Sequence, residues 1–132
     1  MSVNVVDSIP SDDNTYDVFF SSHVLEHIPN LENTILTAIK TLKPSGFFVA
    51  FTPNGCDDYR KLKPKDWDQL WGMVHPNLPD GQYYIHSFHD KKYLLSSRPY
   101  DFDRFHAWSF NKEREQLVLD LSGDELLSIV QK

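Results

Sequence analysis

Between Tyr16 and Asn54 the chain changes its hydrophobic period twice. Asp17-Val18-Phe19-Phe20 is a short run of strand formers, closed by the polar Ser21-Ser22-His23. Pro29-Asn30 then places a capping side chain ahead of Leu31, Ile35, Ile39 and Leu42. Those four recur at helical spacing, with Ala38 beside them, and so make one apolar stripe. Lys43-Pro44-Ser45-Gly46 stops the helix, because proline cannot continue the ladder and glycine tolerates the turn. Phe47 to Phe51 is apolar at every position, which suits a strand covered on both faces of a parallel sheet. The pattern predicts a βαβ unit. Ligands of open α/β sheets sit beyond the carboxyl ends of the strands. Ser21-Ser22-His23 and Thr52-Pro53-Asn54 are therefore the first candidate site.

The remaining segments are shorter. Val3 to Asp7 reads as a strand and Ser8 to Thr15 as a polar loop. Gly55 to Pro64 is a loop of mixed charge, and Pro64 to Gly72 a short helix with Trp67, Leu70 and Trp71 on one side. Asp80 can cap a second short helix through about Phe88, with Tyr84, Ile85 and Phe88 on one face. Tyr93-Leu94-Leu95 is a strand or an extended link, and Arg98 to Phe110 is aromatic without a clear period. Gln116 to Leu121 and Leu126 to Val130 flank the turn Ser122-Gly123-Asp124, which predicts a C-terminal β-hairpin.

A length of 132 residues suits one domain, and a hydrophobic content of 40% with 24% charged residues is ordinary for a globular chain. A formal net charge of −6 argues against a nucleic-acid footprint, which needs a basic face. Cys56 is the single cysteine, so no internal disulfide framework exists. No apolar run reaches the length of a membrane span, and Met1-Ser2-Val3-Asn4 opens no signal-peptide pattern. Cytoplasm is the expected compartment.

The order of these pieces resembles the second half of a class I S-adenosylmethionine-dependent methyltransferase of the small-molecule type. Tyr16-Asp17-Val18 enters a central strand, Ser22-His23-Val24-Leu25-Glu26-His27-Ile28 follows it, Leu42-Lys43-Pro44-Ser45-Gly46 ends the helix, and Thr52-Pro53-Asn54 follows the next strand. Upstream, Val6-Asp7-Ser8-Ile9-Pro10 is similar to the family's adenine-side acidic segment, and Gly123-Asp124-Glu125-Leu126-Leu127 to the start of its last strand. The resemblance implies an α/β, partial Rossmann-like fold with strands 4-5-7-6 of the family's 3-2-1-4-5-7-6 sheet and flanking helices. It implies one domain over residues 1–132, with a βαβ core over 1–54, an acceptor-side region over 55–110 and the closing hairpin over 111–132. The family's G-x-G-x-G loop and the ribose-binding acidic residue have no counterpart among the 132 residues. The strand of Val18 to Phe20 would then be an exposed apolar edge, a self-association hazard.

By the same resemblance the cofactor is S-adenosylmethionine and the partner a small-molecule acceptor. Asp7 and Ser8 would meet the adenine, and Ser22 and His23 the methionine end. His75 is the candidate acceptor-side base, since an imidazole titrates near working pH. Asn54, Tyr59, Trp67 and Trp71 would line the acceptor pocket. His86 and His89 read as surface or packing residues.

Two other readings stay open. The chain could be a non-enzymatic remnant or partner subunit, associating through its sheet edge as a homodimer or with a chain that supplies the N-terminal half. His23-Val24-Leu25-Glu26-His27 also spells H-x-x-E-H, an inverted zinc-protease pattern. That motif needs one continuous helix, and the preceding strand and Pro29 argue against it, so no metal site is expected.

Overall fold

The computed structural model describes residue 9, residues 12–57, residue 61, residues 76–113 and residues 115–132. The predicted strand over Val3–Asp7 and helix over Pro64–Gly72 lie outside the described residues.

The βαβ unit is present, with longer strands than the pattern predicts. Strand β1 spans Tyr16–Ser22, helix α1 Leu31–Thr41 and strand β2 Leu42–Pro53. The Asn30 side chain caps α1, accepting from the Asn33 backbone N–H at 3.2 Å. Leu31, Ile35, Ala38, Ile39 and Leu42 are all buried, so the apolar stripe is the face that meets the sheet. The helix gives way to β2 without a loop. Ser45 takes a φ of 66°, and a β-carbon at Gly46 would lie 2.9 Å from the Asp17 carbonyl oxygen. Glycine is thus required where β2 passes β1.

Beyond the undescribed segment, helix α2 (Gly81–Ser87) is capped by Asp80, whose carboxylate accepts from the Tyr83 N–H at 2.8 Å. Strand β3 (Lys92–Ser97) is buried throughout. Helix α3 (Phe102–Phe110), capped by Asp101, occupies the aromatic stretch that showed no period. Strand β4 (Gln116–Val118) and strand β5 (Glu125–Gln131) complete the sheet.

Among the described residues five strands run in the order β1-β2-β5-β3-β4. β1 pairs parallel with β2, and β5 is antiparallel to both β2 and β3. With β1, β2, β5 and β3 taken as strands 4, 5, 7 and 6, this is the expected mixed order. The expected hairpin between 116–121 and 126–130 is corrected. β4 pairs parallel with β3, and β5 lies on the far side of β3. Two observations give the reason. β5 is hydrogen-bonded on both sides, to β2 and to β3, which leaves no side for β4. The 119–121 segment is bonded along β3 instead, through Leu119 N–H to Leu95 O at 2.9 Å and Ser97 N–H to Asp120 O at 2.8 Å.

The sheet has two unequal faces. On one, α1 and α2 cover Phe48, Ala50, Tyr93, Leu95, Leu126 and Val130. Tyr84 is fully buried there and stacks on Phe88, with ring centroids 5.6 Å apart. On the other, α3 brings Phe105 and Trp108 over Leu94 and Leu127. That second face thins toward β1, where Val18 is 52% and Phe20 63% exposed.

Tyr84 donates or accepts one buried hydrogen bond, with Thr52 Oγ1 at 3.1 Å. Burial pushes its phenol above the ordinary tyrosine range, so the hydroxyl keeps its proton. Tyr84→Phe leaves the buried Thr52 hydroxyl without that partner. The expected loss is about 1–2 kcal/mol of stability, read as a lower urea midpoint at unchanged m.

Candidate functional site at the carboxyl ends of β1 and β2

The two parallel strands end side by side, as Ser22 pairs with Phe51 in the ladder. His23 leaves β1 in the left-handed region, at φ 52°, while its N–H still reaches Phe51 O at 2.9 Å. This turn redirects the imidazole across the strand ends. Its Nε2 lies 2.5 Å from Glu125 Oε2, joining residues 102 positions apart in sequence. Its Nδ1 lies 3.7 Å from Glu26 Oε1.

Glu125 opens β5 opposite Pro53. Its other oxygen accepts from Tyr100 Oη and from an Arg98 nitrogen, each at 2.7 Å. Arg98 also faces Asp124 at 3.6 Å. Burial acts to raise the Glu125 pKa, but the hydrogen bonds from Tyr100, His23 and Arg98 outweigh it and hold the carboxyl below its usual range. Tyr100 moves up instead, through burial first and through its bond to the Glu125 carboxylate second. The hydrogen bond to Glu125 also raises Arg98.

Glu26 sits in a three-residue 3₁₀ turn, Leu25–His27, and is 1% exposed. Its Oε1 is 3.8 Å from His27 Nε2, and its Oε2 has no hydrogen-bond partner among the described residues. This single turn also bears on the H-x-x-E-H pattern. His23 lies outside it with a left-handed φ, so the histidines do not share a continuous helical face. The zinc-protease reading is set aside on that geometry.

Asn54 is buried and fully engaged with the chain. Its Nδ2 donates to Leu121 O at 2.8 Å and Gly123 O at 2.7 Å, and its Oδ1 accepts from the Cys56 N–H at 3.1 Å. It fixes the 121–124 turn that delivers Glu125. The turn also lies close against β3, for a β-carbon on Gly123 would meet Arg98 O at 2.2 Å. On the open face beside these groups runs an aromatic strip. Phe20 meets Phe51 at 6.1 Å, Phe51 meets Tyr100 at 5.7 Å, and Tyr100 meets Phe102 at 6.2 Å between centroids.

Of the residues expected from sequence, Ser22, His23 and Asn54 come together at these strand ends. Asp7, Ser8, Tyr59, Trp67, Trp71 and His75 lie outside the described residues. Sequence reasoning missed Arg98, Tyr100 and Glu125. The available signal was a carboxylate leading an otherwise apolar final strand, directly after a tight turn.

The sequence profile of a family described as a methyltransferase domain matches residues 2–110. A sterol 4-C-methyltransferase of Caenorhabditis elegans is 34% identical over 62 residues, which is 47% of this chain and 19% of that protein. Two solved structures share the fold. One is the complex between the Haloferax volcanii Trm112 methyltransferase activator and a protein assigned as a methyltransferase, with a TM-score of 0.60 and 16% identity over 95% of this chain and 57% of that one. The other, assigned as a methyltransferase from Bacillus halodurans, has a TM-score of 0.61 and 12% identity over 95% of this chain and 73% of that one. The chain thus spans a fifth of the sterol enzyme's length, and between about half and three quarters of the length of these two structures. With the profile covering most of the chain, and the mixed sheet order and strand-end cluster both in place, the chain belongs to the methyltransferase domain family.

Proposed function

We propose that this chain forms the carboxyl-side part of an S-adenosylmethionine-dependent methyltransferase domain acting on a small-molecule acceptor in the cytoplasm. The observation that carries the reading is the convergence of Ser22, His23, Glu26 and Glu125 at the ends of two parallel strands in a chain with that family profile. Among the described residues no helix is long and apolar enough to cross a membrane.

The residues at the β1 end fit the methionine end of the cofactor. Glu26 presents a buried carboxylate oxygen with no described partner, while Glu125 and Asp124 nearby are paired with Arg98. A carboxylate-rich end suits a ligand that carries an ammonium and a sulfonium cation. When bound, S-adenosylmethionine supplies an electrophilic methyl group for in-line displacement by the acceptor. The protein's part is to orient and to exclude water. Ser22 and His23 offer main-chain groups at the strand end, and the Phe20, Phe51 and Tyr100 rings form an apolar wall beside them. Asp7 and Ser8 are assigned to the adenine, His75 to proton removal where the acceptor must lose one, and Asn54, Tyr59, Trp67 and Trp71 to the acceptor pocket. These assignments rest on the resemblance.

Glu125 holds this end together, and its effect on stability depends on pH. Its pKa is lowered in the folded state, so its contribution is present above the ordinary carboxylate range and fades as pH falls through the lowered value. Glu125→Gln is expected to cost about 1–2 kcal/mol near pH 7, with the gap closing toward about pH 3, in urea titrations at both pH values. An equal gap at both would show that the carboxylate charge is not what matters.

Calorimetric titration with S-adenosylhomocysteine tests the function. One-to-one binding is expected in the range of about 0.1–1 mM, since the sequence holds no G-x-G-x-G loop to add contacts. A folded chain that gives no saturable heat overturns the reading.

A further inference from the structure

We propose that Asn54 is a latent deamidation site, held unreacted by the fold, whose conversion releases the turn that delivers Glu125. The inference concerns the chemistry of one dipeptide and is independent of the proposed activity.

Asn54-Gly55 is the single Asn–Gly pair in the chain. Glycine has no side chain to obstruct the approach of its own nitrogen to the preceding side-chain amide. In a pliant chain the Gly55 nitrogen gives its proton to solvent and attacks Asn54 Cγ. The new C–N bond closes a cyclic succinimide, and the Cγ–Nδ2 bond breaks to release ammonia. Water then opens the ring at one of its two carbonyls, leaving aspartate or isoaspartate in place of asparagine. Water is the co-reactant, and the sequence of steps needs no oxidant or reductant.

Packing requires both members of this reactive pair. A β-carbon on Gly55 would lie 2.1 Å from Leu78 O, so no larger residue fits there. Asn54 is 1% exposed and donates through Nδ2 to Leu121 O and Gly123 O, which an aspartate side chain does not do. The same contacts block the reaction. The Gly55 N–H donates to Pro79 O at 3.1 Å, so the attacking nitrogen is held in its protonated form. Departure of Nδ2 breaks two hydrogen bonds, of 2.8 and 2.7 Å. Oδ1 is held by the Cys56 N–H at 3.1 Å, and the Asn54 N–H is bonded to Asp124 O at 3.0 Å. Attack therefore requires a local opening in which the 121–124 turn leaves Asn54 and Pro79 leaves Gly55.

The product cannot restore what the reaction removes. A carboxylate at position 54 accepts hydrogen bonds only, and it meets the carbonyl oxygens of Leu121 and Gly123 in a buried place. The turn before β5 then loses its tie to the end of β2. Because ammonia is lost, the change does not reverse.

The test follows the amide-to-acid mass gain by peptide mapping at mildly alkaline pH, in the native chain and in the chain unfolded by guanidinium. In the unfolded chain Asn54 should convert faster than every other asparagine. In the native chain its conversion should be at least about tenfold slower than that. Ser97→Ala tests the tie itself. The Ser97 hydroxyl donates to Asp120 O and accepts from the Gly123 N–H, each at 2.9 Å. Its removal loosens the turn without touching Asn54, and should speed native conversion about threefold or more at unchanged circular dichroism. Val130→Ala, a buried truncation toward the opposite end of β5, should leave the native rate unchanged. Asn54→Asp, which mimics one product, should lower the urea midpoint and speed amide hydrogen exchange at Gly123 to Glu125. Native and unfolded rates within about tenfold of each other overturn the proposal. So does a Ser97→Ala effect no larger than that of Val130→Ala, or an unfolded chain in which another asparagine converts faster. An Asn54→Asp chain with native stability and native exchange at 123–125 overturns the claim that conversion releases the turn.

Discussion

The carboxyl end of this sheet depends on β5 lying between β2 and β3, hydrogen-bonded to both. It is the last strand in the chain, yet it takes a central place. Its insertion sets Glu125 against Pro53 at the end of β2, with the Arg98 N–H bonded to Glu125 O where β3 ends. Were β5 to pair at the edge, β2 would lose its second neighbour and the two faces of the sheet would separate. The Leu126 and Val130 side chains would leave one core and Leu127 the other. The Asn54 amide secures the turn before β5 with two hydrogen bonds to backbone oxygens. A single buried side chain thus connects the end of the βαβ unit to the entry of the final strand.

Two opposing effects meet at Glu125. Its burial disfavours the charge, while Tyr100, His23 and Arg98 offer it three hydrogen bonds, and the hydrogen bonds win. The result is a fixed negative group beside the mouth of the parallel strand pair. Glu26 stands beside it, more deeply buried and with one oxygen lacking a described partner. His23 stands between the two carboxylates, at 2.5 Å from one and 3.7 Å from the other, because its left-handed backbone turns it there. Glu125 is satisfied within the chain by Tyr100, His23 and Arg98, so the one oxygen left without a described partner at this end is Glu26 Oε2.

Much of the βαβ unit was legible because its signals are local. The Asn30 cap, the Leu31-Ile35-Ile39 stripe and the Asp80 cap each act within a few residues of their own position. The exposure of Val18 and Phe20 was expected from the family resemblance, not from the local pattern. Helix α3 was not legible, because Phe102 and Phe110 are exposed while Phe105 and Trp108 are buried, so its aromatics surround the helix instead of marking one face. The hairpin was misread because the turn at Ser122-Gly123-Asp124 looks like a link between adjacent strands. Pairing across the sheet is decided by the ladders of β5 with β2 and β3 and by the bonds from 119–121 to β3, which are contacts between distant residues. The Glu125 cluster was illegible for the same reason, since its members come from three separate parts of the chain.

The most direct test of the claim that the strand ends form the cofactor site is to map where a ligand acts. Amide chemical-shift changes on adding S-adenosylhomocysteine to isotope-labelled protein would report this residue by residue. The account predicts the largest changes at Ser22, His23, Glu26 and Glu125, with Gly46 and Lys132 at the opposite end of the sheet unmoved. Shifts centred on that opposite end, or spread evenly over the surface, would contradict it.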